Sequence, residues 1–216
     1  MLYAPALFAQ PATTLTPPGI ASSAGMTAGA PVRTALKVDG AELNVLEGHR
    51  ATYTGELLEA ARPALPGRIV ALQALGRRGW STLARSRTGA KGRFRLSYVP
   101  RNIGSSWLRL RFAGAGGELA AHRRVGELNV YRLALASWYG GGGSLACGGT
   151  LTSSTLGVAN KTLPCGTLVT LRYGGHSVRV PVVDRGPYVA GREFDLTEAT
   201  KQALGFGGVG EVWSTS

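Results

Sequence analysis

The 216-residue chain contains no apolar run of the roughly 18 residues that a membrane-crossing helix needs, which excludes a transmembrane helix. It is poor in lysine, with 4 among 24 basic residues, and poor in carboxylates, with 12. Aromatic residues make up only 7%. The three histidines, His49, His122 and His176, stand alone, with no partner at metal-ligand spacing, so neither a metal site nor a cofactor is expected. The glycine run Gly140–Gly143 is followed by neither a Lys-Ser/Thr pair nor a helix, which excludes a phosphate loop. There are only two cysteines, Cys147 and Cys165, each in a glycine-rich turn context. At this point both free thiols and a disulfide in an oxidising compartment stay open.

Glycine, at 32 residues, is about twice as frequent as in ordinary chains, and it follows no G-X-Y period. That composition calls for many tight turns and therefore many short strands. With 44% hydrophobic residues the chain can bury a real core. The formal charge of +12 is unevenly spread: residues 41–132 carry 16 basic and 6 acidic side chains, whereas residues 133–216 carry 6 and 5. The split argues for two units with different partners. The basic unit attracts polyanions: nucleic acid, anionic lipid, or wall polymers rich in phosphate and carboxylate. Its arginines also suit plain solvated strand faces, and composition does not choose between these readings.

The first residues, MLYAPALFAQPATT, resemble the end of a secretory signal, with Leu7-Phe8-Ala9 before Gln10-Pro11-Ala12, although a basic leading region is missing. Residues 10–40, rich in Ala, Thr, Pro, Gly and Ser without apolar period, read as a disordered linker, so 1–40 is expected to be signal remnant and linker.

From residue 41 the strand signal is strong. Arg93-Phe94-Arg95-Leu96-Ser97-Tyr98 and Leu108-Arg109-Leu110-Arg111-Phe112 alternate strictly, which puts apolar side chains on one face and arginines on the other. Arg68–Gln73 reads as a more buried strand. Glycine-rich turns separate these runs, and the spacing predicts a β-sandwich over 41–132, similar in pattern to immunoglobulin-like or transthyretin-like modules. Trp80, Trp107 and Trp213 are expected in the core or at a rim. From 133 to 216 a second unit is predicted. Leu133–Tyr139 and Leu168–Arg172 read as strands, and Ser177–Val183 pairs back across a Gly174-Gly175 hairpin turn, with Pro181 suited to an edge or a bulge. Thr197–Gly205 reads as one helix, with Thr197 as N-cap and Gly205 as its stop, and Val209–Trp213 as a closing strand.

Four motifs in this second unit occur in order: Ala136-Ser137-Trp138-Tyr139-Gly140, Lys161-Thr162-Leu163-Pro164-Cys165-Gly166-Thr167, Val183-Asp184-Arg185-Gly186-Pro187-Tyr188, and Gly191-Arg192-Glu193-Phe194-Asp195-Leu196-Thr197. Together they resemble the RlpA-like (rare lipoprotein A) double-psi β-barrel, a fold shared with expansins and barwin-like proteins. The resemblance implies a six-stranded barrel with one short helix, which after the sandwich makes the chain all-β. It implies a secreted protein of the bacterial cell wall acting on peptidoglycan or another wall polysaccharide. In the RlpA group it implies lytic transglycosylase action, and in the expansin-like and barwin-like members binding without cleavage. In that frame Cys147 and Cys165 pair, clipping the glycine-rich loop after Tyr139 to the segment leading into the Leu168 strand.

Asp184 ends a strand at a tight loop, a barrel-rim position facing a groove, where Arg185 is expected to pair with it. Asp195 sits between apolar Phe194 and the helix start, and reads either as a helix-start carboxylate or as a catalytic acid. Both are the expected catalytic residues, with Tyr139, Asn160, Arg185 and Tyr188 expected to hold the glycan. A lytic transglycosylase needs no activated water, because the sugar's own 6-hydroxyl attacks, so one carboxyl group can both give and take the proton. Two departures from the family pattern weigh against turnover: Gly149 stands where a Glu is usual, and Asn160 where a His is usual. Anionic wall polymers are the expected partner of the basic sandwich. Nucleic acid is not, since the basic face lacks the interleaved aromatics that single-strand binders use.

Overall fold

A computed structural model of the chain describes residues 30–59 and 64–216. The expected signal remnant and most of the expected linker lie outside the described residues. The strands are β1 (Thr34–Ala41), β2 (Asn44–Leu46), β3 (Ala51–Glu59), β4 (Ile69–Gly76), β5 (Gly79–Arg87), β6 (Arg93–Tyr98), β7 (Gly104–Phe112), β8 (Ala121–Tyr139), β9 (Gly143–Ser144), β10 (Thr150–Leu151), β11 (Val158–Ala159), β12 (Leu168–Tyr173), β13 (His176–Asp184), β14 (Phe194–Thr197) and β15 (Gly210–Ser214), with one helix, α1 (Glu198–Leu204), before β15. The fold is all-β, as the alternating patterns predict.

Two sheets make the N-terminal sandwich. One has the order β1-β3-β6. The other runs β8-β7-β4-β5, with β2 pairing in parallel on β8. Period-two alternation decides what is buried: Tyr53 and Leu57 from β3, Phe94 and Leu96 from β6, Val70 and Leu72 from β4, and Leu108, Leu110 and Phe112 from β7 fill one core between the sheets. Residues 34–40, expected as linker, lie in β1 instead. Its alternation sends Leu36 and Val38 into that core, which a disordered segment could not do.

The second half closes on itself. Strands pair in the order β14-β11-β13-β12-β15-β8, and a parallel β14–β8 pairing joins the two ends into a ring of six strands. A closed ring leaves no edge strand exposed. Its core holds Val169, Leu171, Val180, Val182, Phe194, Leu196, Val212 and Leu204 of α1. The β12–β13 hairpin turns on Gly174 and Gly175, both with positive φ, the conformation a two-residue primed turn demands. Thr197 caps α1 through its side chain, and Gly205 ends it in the left-handed region. Pro181 is not at an edge, since β13 lies between β12 and β11, but the β11 register slips between Val182 and Asp184, so the proline precedes a bulge.

Both halves share β8. Its first part pairs with β7 over Ala121–Val130, and its last part with β15 over Arg132–Ala136 and with β14 over Ala136–Tyr139. Residue 133, where the pattern separates two units, falls inside this strand. The joint is packed as well. Buried Tyr131 donates its hydroxyl to Asn44 Oδ1 at 2.7 Å on the sandwich side and stands 5.7 Å from the Trp213 ring on the barrel side. Arg179 of β13 meets Glu127 at 3.4 Å.

Candidate active site at the barrel rim

Register brings the two aspartates together. Ala159 of β11 pairs with Asp184 on β13 and with Asp195 on β14, and Asp195 in turn pairs with Ser137 on β8. Asp184 and Asp195 therefore flank one two-residue strand at the same level of the barrel. That strand is seated by a glycine: a Cβ on Gly157 would collide with Val183 Cγ2. The hydroxyls of Thr197 and Thr200 both bond to the Gly157 carbonyl and so tie β11 to the start of α1.

Asp184 Oδ1 accepts two backbone N–H bonds, from Ala146 at 2.9 Å and Arg185 at 2.8 Å. The Ala146 bond docks the loop after β9 against the end of β13, where the Cys147 N–H also donates to the Val183 carbonyl. Asp195 Oδ1 accepts the Ser137 hydroxyl at 2.6 Å. Tyr139, two residues further along β8, lies beside both carboxylates. Its hydroxyl is buried and has no hydrogen-bond partner among the described residues. Burial first, then the charges of Asp184 and Asp195, push the phenol well above its ordinary range, so the hydroxyl stays protonated.

The disulfide Cys147–Cys165 is formed, with Cα atoms 5.5 Å apart and a sequence separation of 18. It straddles β13: Cys147 bonds to Val183 and Gly166 to Val182 through their backbones, so the bridge holds both flanking loops against the strand that carries Asp184.

Two expected site residues take other places. The Arg185 guanidinium does not pair with Asp184. It donates to the carbonyls of Asn160 at 2.9 Å and Leu163 at 2.8 Å and to Cys165 Sγ at 3.0 Å. Only its backbone N–H serves the aspartate, because the side chain leaves the strand end toward the neighbouring loop. Asn160 is not a free glycan contact. Its Oδ1 accepts from the N–H groups of Thr162 and Leu163, its Nδ2 donates to the Glu193 carbonyl, and the residue is buried. Tyr188, by contrast, is 82% exposed at the tip of the loop after β13, within the run that connects the two aspartates.

Residue types alone gave no sign of Ser137 as the partner of Asp195, since a parallel pairing between positions 58 residues apart makes that contact. Trp138 alternates to the other face of β8 from Ser137 and Tyr139 and is 40% exposed, with the Lys201 ammonium 3.7 Å from its ring centroid. Gly149, at the position where the family pattern has a glutamate, sits in a turn at φ +84°, a conformation that favours glycine. No group of three His, Cys, Asp or Glu side chains among the described residues converges as a metal site. The arrangement offers two carboxyl groups, which suits proton transfer on a polyhydroxylated chain lying across the rim.

Residues 133–213 match a family described as lytic transglycolase. The chain is 42% identical over 92 residues to the probable endolytic peptidoglycan transglycosylase RlpA of Aquifex aeolicus, covering 38% of this chain and 41% of that protein. It is 36% identical over 124 residues to the protein of the same name from Synechocystis, covering 48% and 39%. Among solved structures, the Streptomyces papain inhibitor is 26% identical over 38% of this chain and 91% of its own, with a TM-score of 0.33. The chain thus spans 41% and 39% of the lengths of the two curated relatives.

Proposed function

We propose, from the match of residues 133–213 to a family described as lytic transglycolase, that this half is an RlpA-like double-psi β-barrel and that the chain works in the bacterial cell wall as a peptidoglycan lytic transglycosylase, with Asp184 and Asp195 at its centre. The observation that carries this reading is the register that sets Asp184 and Asp195 on either side of Ala159 at one end of the barrel. In the reaction a protonated carboxyl gives its proton to the glycosidic oxygen as the bond from that oxygen to C1 breaks. The 6-hydroxyl oxygen of the same sugar bonds to C1, and its proton returns to the carboxylate. The products are a chain with a free hydroxyl and a chain ending in a 1,6-anhydro ring; no water is consumed. Asp184, at the strand end with its Oδ1 fixed by two N–H groups, is assigned this proton. Asp195, tied to Ser137, is the second carboxyl, and the Tyr139 hydroxyl, sealed from solvent, is not among the groups that touch the glycan.

A second reading has its own support. With glycine at 149 and a fully committed amide at Asn160, two ionisable groups of the family pattern are missing. The barrel then grips glycan strands without breaking them, in the manner of expansin-like modules. The disulfide supports a location outside the cytoplasm, and the positive charge of the sandwich supports anionic wall polymers as its partner. The test is incubation of the full chain with purified peptidoglycan and mass spectrometry of the soluble fraction. Release of 1,6-anhydro muropeptides is expected; sacculi that bind the protein yet release no fragment would leave only the binding reading.

A further inference from the structure

The outer face of the larger sandwich sheet carries features that the barrel chemistry does not use. Residues directly opposite each other in a ladder share a face, and the registers Ala71↔Arg85, Ala71↔Arg111, Gln73↔Arg109 and Arg109↔Arg124 place Arg85, Arg109, Arg111 and Arg124 together on the side away from the core. Among the described residues none of the four has a carboxylate within ion-pair distance, although six other ion pairs form elsewhere. Arg109 stands directly across from Arg124, a like-charge pairing that costs stability unless an anion covers it.

Arg109 is also pre-set. Its Nε donates to Gln73 Oε1 at 2.9 Å, its guanidinium lies 4.2 Å from the Trp80 ring centroid, and its two Nη groups make no hydrogen bond to the described residues. A fixed, planar fork with free donors fits a phosphate or carboxylate edge. Arg85 and Arg111 line a cleft of about 430 Å³ on the same face. At the other end of β7's outward row Trp107 is 48% exposed, against the expectation of a core or rim tryptophan. Outward positions on one strand recur at about 6.6–6.8 Å, and neighbouring strands lie about 4.8 Å apart. Such a grid asks for anionic groups that recur closely along a chain, with sugar rings available for the tryptophan.

We propose that this face, with Arg85, Arg109, Arg111 and Arg124 as anion contacts and Trp107 as a stacking platform, binds a phosphodiester-linked wall glycopolymer that carries sugar substituents. A phosphodiester backbone presents a charge at every link, whereas the glycan strand cleaved at the barrel does not. The inference rests on the reading that the chain works at the cell wall, and not on turnover by the barrel.

The test uses the full chain and three purified probes: polyglycerol phosphate bearing N-acetylglucosaminyl groups, the same backbone without sugars, and double-stranded DNA at equal phosphate concentration. Binding to the sugar-bearing polymer is expected to be the tightest and to weaken steeply with salt. Arg85→Gln/Arg111→Gln, at exposed positions without internal partners, is expected to weaken it roughly tenfold or more and to flatten the salt dependence. Trp107→Ala is expected to weaken binding of the sugar-bearing polymer and leave the bare backbone unchanged. Arg93→Gln/Arg95→Gln, on the opposite sheet, serves as a charge-matched control expected to change little. Equal losses in the control, or DNA bound as tightly as the polymer, overturn the proposal. Fragment release from peptidoglycan stripped of phosphate polymers is expected to be the same in the Arg85/Arg111 variant as in the unaltered chain, so failure of the barrel reading and failure of this one give different results.

Discussion

The sandwich and the barrel are built from the same strand alternation but put their polar side chains to opposite uses. In β6 and β7 the arginines alternate outward into solvent and meet few partners, while Phe94, Leu96, Leu108 and Leu110 turn inward. In the barrel, Asp184, Asp195, Asn160 and Arg185 are half-buried or buried at the rim and are held by backbone groups or neighbouring side chains. A free charge on a flat face is available to any long polymer, whereas a carboxylate fixed by two N–H bonds suits one reacting geometry. Contrast in commitment, more than contrast in charge, separates a surface fit for docking from one fit for chemistry.

Four experiments sharpen that contrast. The largest expected effect is on activity: Asp184→Asn keeps an oxygen to accept the Ala146 and Arg185 N–H groups but cannot carry the proton. Anhydro-product formation, followed by mass spectrometry, should fall about 10²–10⁴-fold with sacculus binding retained. A variant with full product yield would move the proton transfer elsewhere.

Next comes the joint. Tyr131→Ala removes a fully buried ring that touches both halves and should cost about 3–5 kcal/mol in denaturant unfolding, whereas Tyr131→Phe, which loses only the bond to Asn44, should cost about 1 kcal/mol. If the halves are coupled through β8, spectroscopic probes of the sandwich and of the barrel shift together in the alanine variant; a shift in one half alone breaks the coupling.

Replacing both cysteines by serine should cost roughly 3 kcal/mol, from the freedom regained by an 18-residue separation in the unfolded chain. Here the effect should be lopsided. Hydrogen exchange is expected to accelerate in β12 and β13 and to stay slow in β4 and β7; uniform acceleration would contradict a bridge that acts on the barrel.

The smallest effect is at high pH. Tyr53 in the sandwich and Tyr139 in the barrel both have buried, unpartnered hydroxyls whose pKa burial raises above the ordinary value. The unfolded chain ionises its tyrosines near pH 10, the folded one only higher, so stability is intact below about pH 10 and declines as pH rises above it. Tyr53→Phe and Tyr139→Phe should each make that decline shallower in pH-dependent melting, and an unchanged slope in either would show that its hydroxyl titrates normally.

Much of this architecture was legible in the residues because alternation is a local signal. The runs 93–98 and 108–112 pack as their period requires, and the N-cap Thr197 and stop Gly205 bound the helix. What stayed hidden depends on distance along the chain. Strands β9, β10 and β11 are two residues long, too short for any period, and β11 exists because the remote strands β13 and β14 pair with it. Asp184 and Asp195 stand out by motif, but adjacency misled about Arg185: a side chain next in sequence at a strand end points away from its neighbour's carboxylate. The duty of Asn160 was equally hidden, since its amide reaches the Glu193 carbonyl 33 positions away.

The continuous β8 carries one more implication. Two binding modules joined by a flexible linker give the second one an effective concentration that depends on linker length and is spread over many orientations. A strand that belongs to both ladders removes that spread. A polymer seated on the sandwich would present the wall to the barrel at a single offset and angle, so local concentration would be high for glycan strands that run at that offset and close to nil for all others. The selectivity of such a protein for wall architecture would then be encoded in the pitch and twist of nineteen residues, Ala121–Tyr139, rather than in any contact with the substrate.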